Sequence, residues 1–161
     1  MAEESRIGVV SDTHDRILPD LREALAGVDE ILHCGDLCHT DVLDELEAIA
    51  PVLAVHGNMD ERELVDRLPA ERLVERGEIR IAMIHGHRQG RARVDDFVEK
   101  YRVIAPALVL FGHTHETVSR VWDETHYFNP GTAGGVGADP TCGLLEVRGG
   151  EFSIEHVDLE G

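Results

Sequence analysis

Acidic, amide and imidazole side chains recur in this chain directly after short apolar runs. Carboxylate oxygen, amide oxygen and imidazole nitrogen together suit Mn, Fe, Co, Ni or Zn, whereas Ca²⁺ takes oxygen ligands. Two such ions about 3.5–4 Å apart can clamp the attacking and leaving oxygens of a phosphoryl transfer. The segments that carry these groups are Ser11-Asp12-Thr13-His14, His33-Cys34-Gly35-Asp36, His56-Gly57-Asn58-Met59-Asp60, His85-Gly86-His87 and Gly112-His113-Thr114-His115. Their composition predicts a transition-metal site with hydrolytic chemistry.

The apolar runs that precede the first three segments alternate with helical patterns. Residues 7–10, 31–32 and 52–55 predict buried strands, and residues 18–26 and 41–50 place apolar side chains at helical spacing. The order strand, helix, strand, helix, strand predicts a parallel sheet. Because ligands bind at the carboxyl ends of strands in open α/β sheets, we expect the polar segments to meet at one rim.

The second half of the chain is richer in strand patterns. Residues 79–84 predict a strand that pairs with residues 72–75, and residues 94–103 predict a helix. Further strands are predicted at 107–111, 118–122, 126–129, 142–147 and 152–157. We expect the last four to form an antiparallel meander. No linker or repeat interrupts the pattern, so residues 1–161 are expected to form one domain.

The charge balance of the chain is strongly acidic. It contains 32 Asp and Glu residues against 15 Lys and Arg residues, for a formal net charge of -17. Such a surface stays soluble in concentrated salt, where screening weakens self-repulsion, and we expect a halophilic protein. The same balance argues against tight non-specific binding of nucleic acid, which requires basic residues.

Cysteine usage and hydropathy bear on the compartment. Cys34, Cys38 and Cys142 are an odd number, which predicts no disulfide framework and favours a reducing interior. A thiolate metal site at Cys34 and Cys38 is disfavoured because there is no second close pair. The most apolar run, residues 103–111, is too short to span a bilayer, and the first residues lack an apolar signal core. We therefore expect a cytoplasmic protein without a membrane partner.

Taken in order, the polar segments resemble the motifs of one family. The series Asp-x-His, Gly-Asp, Gly-Asn, Gly-His and Gly-His-x-His is similar to that of the calcineurin-like metallophosphoesterase superfamily. Gly57-Asn58-Met59-Asp60 and Asn129-Pro130-Gly131-Thr132 resemble its small single-domain phosphodiesterase branch. The resemblance implies an α/β fold in a four-layer α-β-β-α sandwich. Two mixed sheets would face each other, with the metal site at the carboxyl ends of their strands.

The resemblance also implies a ligand set and a reaction. A hydroxide bridging two divalent metals would attack the phosphorus of a small-molecule phosphate ester, with Mn as the expected metal and Fe, Zn, Ni or Co as alternatives. The substrate phosphate would contact Asn58, His87 and Arg88. Relatives in this branch are described as dimers or tetramers, which is compatible with a homo-oligomer. By position, the first metal would bind Asp12, His14, Asp36 and His115, and the second would bind Asp36, Asn58, His87 and His113.

One position departs from the wider family and affects catalysis. Met59 stands where many members have a histidine that is thought to protonate the leaving group, and methionine cannot transfer a proton. His85 and Asp60 are the nearest substitutes, so the expected catalytic residues are Asp36, Asn58, His85 and Asp60. Because Met59 cannot supply a proton, substrates with a good leaving group are favoured. A phosphodiester is the expected substrate, and a phosphomonoester stays open.

Two alternative functions stay open at this stage. A scaffold of the same fold would bind a protein partner and be catalytically weak or inactive, as in a trafficking-coat subunit of the family whose metal site is degraded. No carried-over ligand is missing from this chain, which favours the enzyme. A single-metal hydrolase of another family would leave three or more of these residues without a role.

Overall fold

The computed structural model describes residues 4–160. Within them the chain forms ten strands and four helices, which follow in this order: β1 (Glu4–Val10), α1 (Pro19–Ala24), β2 (Glu30–His33), α2 (Thr40–Glu47), β3 (Val52–Ala54), α3 (Arg62–Arg67), β4 (Glu71–Arg76), β5 (Ile79–Ile84), α4 (Val94–Tyr101), β6 (Leu108–Leu110), β7 (Thr117–Trp122), β8 (Thr125–Pro130), β9 (Thr141–Arg148) and β10 (Glu151–Asp158). Of the helices in this range, none is both long enough and apolar enough to cross a membrane.

The strands form two five-stranded mixed sheets. The first has the order β10-β9-β1-β2-β3 and the second has the order β4-β5-β6-β8-β7. Strands β1, β2 and β3 run parallel, as do β5, β6 and β8, whereas β4, β7 and β9 pair antiparallel with their neighbours. The predicted meander is wrong, because β7 and β8 belong to one sheet while β9 and β10 belong to the other. Strand patterns report burial, and they do not report which sheet a strand joins.

Side-chain alternation along the strands separates three apolar layers. Along β1, Ile7 and Val9 point between the sheets, whereas Val10 points outward against α1 and α2. Along β5, Ile81 and Met83 point between the sheets and Ala82 points outward toward α4. This period of two buries both faces of each sheet. The order helix, sheet, sheet, helix confirms the four-layer sandwich.

The outer helices are held by apolar stripes. Leu21 of α1 and Leu46 of α2 are fully buried against the first sheet. Phe97 of α4 is fully buried against the second sheet, with its ring 4.7 Å from that of Phe111. Truncating a buried phenylalanine to alanine costs about 3–5 kcal/mol, so this contact anchors α4 and the loop before it.

Candidate metal centre

Loops after β1, β2, β3, β5 and β6 bring the predicted polar side chains together at one rim. Several of these loop residues have positive φ angles: Asp12 (52°), His14 (49°), Asp36 (62°), His113 (71°) and His115 (64°). Residues other than glycine rarely adopt this conformation, and each costs about 1–3 kcal/mol. Such strain accumulates at functional sites, and here it marks five of the seven predicted metal ligands.

The first group of metal-binding side chains consists of Asp12, His14 and His115. His115 Nε2 lies 3.3 Å from Asp12 Oδ1 and 3.4 Å from His14 Nε2. On its other side, the His115 Nδ1–H donates a 2.6 Å hydrogen bond to the Val136 carbonyl. That bond fixes the neutral tautomer in which Nε2 is free to bind a metal.

The second group consists of Asp12, Asp36 and His85. His85 Nε2 lies 3.3 Å from Asp36 Oδ2 and 3.2 Å from Asn58 Oδ1. Its Nδ1–H donates a 2.8 Å hydrogen bond to the Cys34 carbonyl. His85 therefore presents Nε2 to the carboxylates in the same way as His115 does.

Asp12 is common to both groups, and one of its oxygens has no hydrogen-bond partner. Its Oδ2 accepts from the Ser11 hydroxyl at 2.6 Å and from the His113 backbone N–H at 3.1 Å. Its Oδ1 is buried without a donor, with His14, His85 and His115 around it at 3.3–4.0 Å. A buried carboxylate oxygen without a donor is costly unless a cation satisfies it. The arrangement fits divalent metal ions.

Asp36 interacts with histidines of both groups. Its Oδ1 accepts the Met59 backbone N–H at 2.8 Å, and its Oδ2 faces His85. Burial opposes ionisation, but the hydrogen bond and charge of His85, the Met59 N–H and the charge of His14 lower the pKa of Asp36 to about 2. Asp36 is therefore an anionic acceptor between the two groups at neutral pH.

His113, His87 and Arg88 lie beside these groups. The His113 ring is 5.2 Å from that of His85, and burial together with the nearby His85 charge lowers the pKa of His113. The His87 ring is 5.4 Å from that of His85, and neither His87 nor His113 belongs to a metal-binding group of the described residues. Burial and the charges of His85 and Arg88 lower the pKa of His87. Arg88 is exposed in the turn after His87.

Asp60 holds two of the loops together. Its carboxylate accepts three backbone N–H groups, from Gly57 at 2.6 Å, Cys38 at 2.7 Å and Asp36 at 3.1 Å. Both of its oxygens are thereby occupied by loop backbone. The neighbouring Met59 side chain is exposed to solvent.

His33 links the loops after β1 and β2. It is fully buried, and burial lowers its pKa to about 4. The Gly35 backbone N–H donates to its Nδ1 at 3.0 Å, so the neutral ring carries its proton on Nε2 and donates to the Thr13 hydroxyl at 3.1 Å. This bridge keeps the segments of Asp12 and Asp36 in register.

The end of β8 and the loop after it support the centre from behind. The Thr132 hydroxyl donates to the Asp12 carbonyl at 2.8 Å, and the Asn129 amide donates to the Gly112 carbonyl at 3.1 Å. The motif resemblance drew attention to this loop. The contributions of Ser11 and of the Cys34 and Val136 carbonyls left no signal in the sequence, because hydroxyls and backbone carbonyls occur everywhere.

Two glycines allow the loops to approach this closely. A Cβ atom on Gly57 would overlap the Asp36 carboxylate, and one on Gly112 would overlap the Ser11 hydroxyl. Any side chain at either position would push a metal-binding loop away from its neighbour. These contacts explain why glycine accompanies the acidic and histidine residues of the motifs.

Comparison with known proteins agrees with this geometry. The calcineurin-like phosphoesterase superfamily domain matches residues 6–150. The chain belongs to that superfamily. A probable metallophosphoesterase of Methanothermobacter thermautotrophicus is 34% identical over 157 residues, which cover 94% of this chain and 91% of the relative. A phosphodiesterase of Methanocaldococcus jannaschii is 31% identical, with 91% of this chain and 96% of the relative covered.

The fold of the superfamily also extends to more distant structures. Vacuolar protein sorting 29 of Cryptosporidium parvum superposes with a TM-score of 0.83 at 20% identity, covering 98% of this chain and 99% of that protein. At this identity the likeness concerns the fold. The calcineurin-like fold expected from the motifs is thus confirmed by relatives in sequence and in structure.

Proposed function

We propose that this protein is a two-metal phosphodiesterase that hydrolyses a small phosphate ester. One observation carries the proposal: the Nε2 atoms of His14, His85 and His115 converge on a buried Asp12 oxygen that has no hydrogen-bond donor. A cation would satisfy that oxygen and use the free imidazole nitrogens. Membership of a phosphoesterase superfamily supports hydrolysis as the reaction.

The proposed ligand set differs from the sequence-based expectation at one residue. His85 takes the position in the second metal site that the resemblance gave to His87, because His85 Nε2 faces Asp36 and Asn58. Asp12, His14, Asp36 and His115 remain the proposed ligands of the first ion. The geometry places Asp12 in both groups, while Asp36 keeps the shared role that the resemblance implies, with its Oδ2 facing His85. The second ion would then bind Asp36, Asn58, His85 and His113.

The remaining groups would act on the substrate. When bound, the two ions supply positive charge to the phosphoryl group and make hydroxide available near neutral pH. His87 lies next to the ligands without joining them, and Arg88 is exposed beside it, so both can contact the phosphoryl oxygens. The pKa of His87 is lowered, which leaves a neutral ring that can donate one hydrogen bond.

The leaving group would take its proton from solvent. Asp60 is occupied by three backbone N–H groups, and both nitrogens of His85 are engaged, so neither is available as the general acid. Met59 is exposed and cannot donate. Esters with acidic leaving groups, such as p-nitrophenol, are therefore the expected laboratory substrates.

The physiological setting follows from composition. We propose Mn²⁺ as the first metal to test, with Fe, Zn, Ni and Co next, since the donors are oxygen and imidazole. Cys34, Cys38 and Cys142 are unpaired and buried, which supports a reducing compartment and hence the cytoplasm. Residues 1–161 would form one catalytic domain.

The scaffold alternative is the second candidate. It is favoured by the similarity in fold to vacuolar protein sorting 29. The completeness of the donor set argues for the enzyme, since a scaffold has no need of strained loops that aim Asp12 and Asp36 at histidines. The two functions differ in what a metal-loaded protein does to an ester.

A metal-refilling assay tests the proposal. Protein stripped of metal and refilled with Mn²⁺ should cleave bis(p-nitrophenyl) phosphate, and Asp36→Asn should lose about 100-fold or more of that activity. Asp44→Asn, an exposed aspartate on α2, is the matched control and should keep full activity. Comparing this rate with the hydrolysis of p-nitrophenyl phosphate, a monoester, measures the preference for diesters. If the protein binds two ions and hydrolyses neither ester, the scaffold function is supported and the enzyme is rejected. If it binds a single ion, the one-metal hydrolase is favoured.

A further inference from the structure

A groove of about 590 Å³ adjoins the metal centre on the side of β7 and α4. Thr114 belongs to its lining and stands between the proposed ligands His113 and His115. One wall of the groove is therefore formed by the same loop that carries two of the proposed ligands. Its lining residues are Arg91, Ala92, Arg93, Val94, Asp95, Thr114, Glu116, Val118 and Arg120.

Arginines dominate the charge of this groove. Arg91, Arg93 and Arg120 face two carboxylates, those of Asp95 and Glu116. The chain as a whole is strongly acidic, with a formal net charge of -17. An anionic ligand approaching this protein meets repulsion over most of its surface, and an excess of positive charge beside the metal centre offsets it locally.

These three arginines are free to bind a ligand. Over residues 4–160, none of them forms an ion pair with a carboxylate, although six other basic residues of the chain do. An unpaired guanidinium presents a fork of N–H donors that matches a phosphate. Three such guanidinium groups in one groove can together bind an anion that the chain itself does not supply.

Local contacts hold the walls of the groove in place. The Asp96 carboxylate accepts the backbone N–H groups of Arg91 and Arg93, both at 3.1 Å, which fixes the loop before α4. On the opposite wall, the Arg120 guanidinium lies 5.0 Å from the centre of the Trp122 ring, in a cation–π contact. Half-buried Val118 adds apolar surface, against which a sugar or similar group can pack.

We propose that this groove binds a second phosphate of the substrate, so that the enzyme prefers small phosphodiesters that carry another phosphate group. The inference rests on the proposed function, because it assigns the scissile phosphate to the metal centre. Arg91, Arg93 and Arg120 set this specificity. They bind the distant phosphate and take no part in breaking the ester bond.

A pair of chromogenic substrates tests the specificity. Thymidine 5′-(p-nitrophenyl phosphate) and its 3′-phosphorylated counterpart differ by one phosphate, and both release p-nitrophenol. With Mn²⁺-loaded protein at one salt concentration, kcat/KM should be about fivefold higher for the 3′-phosphorylated ester, the factor expected of a solvent-accessible charge pair. The double substitution Arg91→Gln and Arg93→Gln, and separately Arg120→Gln, should bring that ratio close to one.

A matched arginine at the other end of α4 provides the control. Arg102 lies just beyond the end of α4, where it pairs with Glu99 at 3.4 Å, and Arg102→Gln should keep the wild-type ratio. Equal kcat/KM for the two esters in the wild type would overturn the inference while leaving the phosphodiesterase intact. So would a ratio that survives all the groove substitutions.

Calorimetry separates the inference from the proposed function. Metal-loaded wild type should bind thymidine 3′,5′-bisphosphate more tightly than thymidine 5′-phosphate by a similar factor, and the double variant should not. This difference without hydrolysis of either ester would keep the anion site and reject the enzyme. A gain seen with a longer oligonucleotide, and absent with the bisphosphate, would overturn the assignment to small substrates.

Discussion

At the scale of single residues, the direction of each imidazole decides its role. His85 and His115 both donate from Nδ1 to a backbone carbonyl and turn Nε2 toward Asp12. His87 is two residues from His85, but it lies beside the carboxylates without joining a metal-binding group. Gly86 lies between them with a φ angle of 103°, and it is His85 that brings Nε2 near Asp12 and Asp36.

Substituting these two histidines should separate a ligand from a substrate contact. We expect His85→Gln to lose one of two bound ions, because the second site loses its only buried imidazole. His87→Gln should retain both ions and raise KM, since a hydrogen bond to the substrate phosphate is lost. Metal content after dialysis, measured by mass spectrometry beside steady-state kinetics, decides between them. Loss of an ion from His87→Gln alone would return that residue to the ligand set.

At the scale of elements, the metal-binding loops are held together by side chains outside the ligand set. Asp60 binds the loops after β2 and β3, and His33 binds those after β1 and β2. On the surface, His39 joins three loops at once: its Nε2 lies 3.1 Å from Asp15 and its Nδ1 lies 3.3 Å from Glu61. The loops after β1, β2 and β3 are thus tied together.

The His39 contacts should make stability depend on pH. The hydrogen bond to Glu61 and the charges of Asp15, Glu61 and Asp41 raise the pKa of His39 above its ordinary value of 6.5. A group whose pKa is raised in the folded state contributes its full stabilisation at pH values below its pKa in the unfolded chain. This contribution disappears as the pH rises through its pKa in the folded state. His39→Gln should therefore lower the free energy of unfolding of metal-free protein below pH 6.5 and have little effect in alkaline solution.

Urea denaturation of wild type and variant across this pH range gives the measurement. The comparison uses metal-free protein, because metal binding to the other histidines is itself linked to pH. In a Glu61→Gln background, the same His39 substitution should show a weaker pH dependence. A change in unfolding free energy on His39→Gln that is constant with pH, or that grows in alkaline solution, contradicts the proposed role of the His39 contacts.

At the scale of the whole molecule, charge is distributed unevenly. The formal net charge of -17 creates a self-repulsion that acts on the entire fold, while the groove beside the metal centre collects three unpaired arginines. Salt limits the self-repulsion to charges within about 8–10 Å of each other at moderate ionic strength. In concentrated salt this range is shorter still, so the repulsion is weaker. Because the groove is open to solvent, salt weakens its anion binding as well.

Stability should rise with salt. We expect the free energy of unfolding to increase as KCl is raised into the molar range, because screening removes repulsion that favours the unfolded chain. Urea titrations at several KCl concentrations provide the measurement, with sucrose as a control for general exclusion from the protein surface. A stability that does not change between dilute and molar KCl would remove the halophilic interpretation.

The sequence by itself determined the elements and the donors. Short apolar runs predicted the strands, and the expected pairing of residues 72–75 with residues 79–84 is found between β4 and β5. The order of Asp, Asn and His residues at strand ends predicted one rim, because parallel strands end on the same side. The short helix α3 was absent from the expectations, since its six residues give little more than one turn of periodicity.

Only the tertiary structure decided which donors face each other. The sequence cannot distinguish His85 from His87, because the difference lies in the contacts of His85 with Asp36 and Asn58, which come from other loops. It offers Asp60 as an acid, whereas the fold surrounds that carboxylate with three N–H groups from two loops. It shows Arg91 and Arg120 as distant surface charges, whereas packing of α4 beside β7 places them in one groove. Contacts between residues far apart in sequence depend on packing, and no local pattern encodes them.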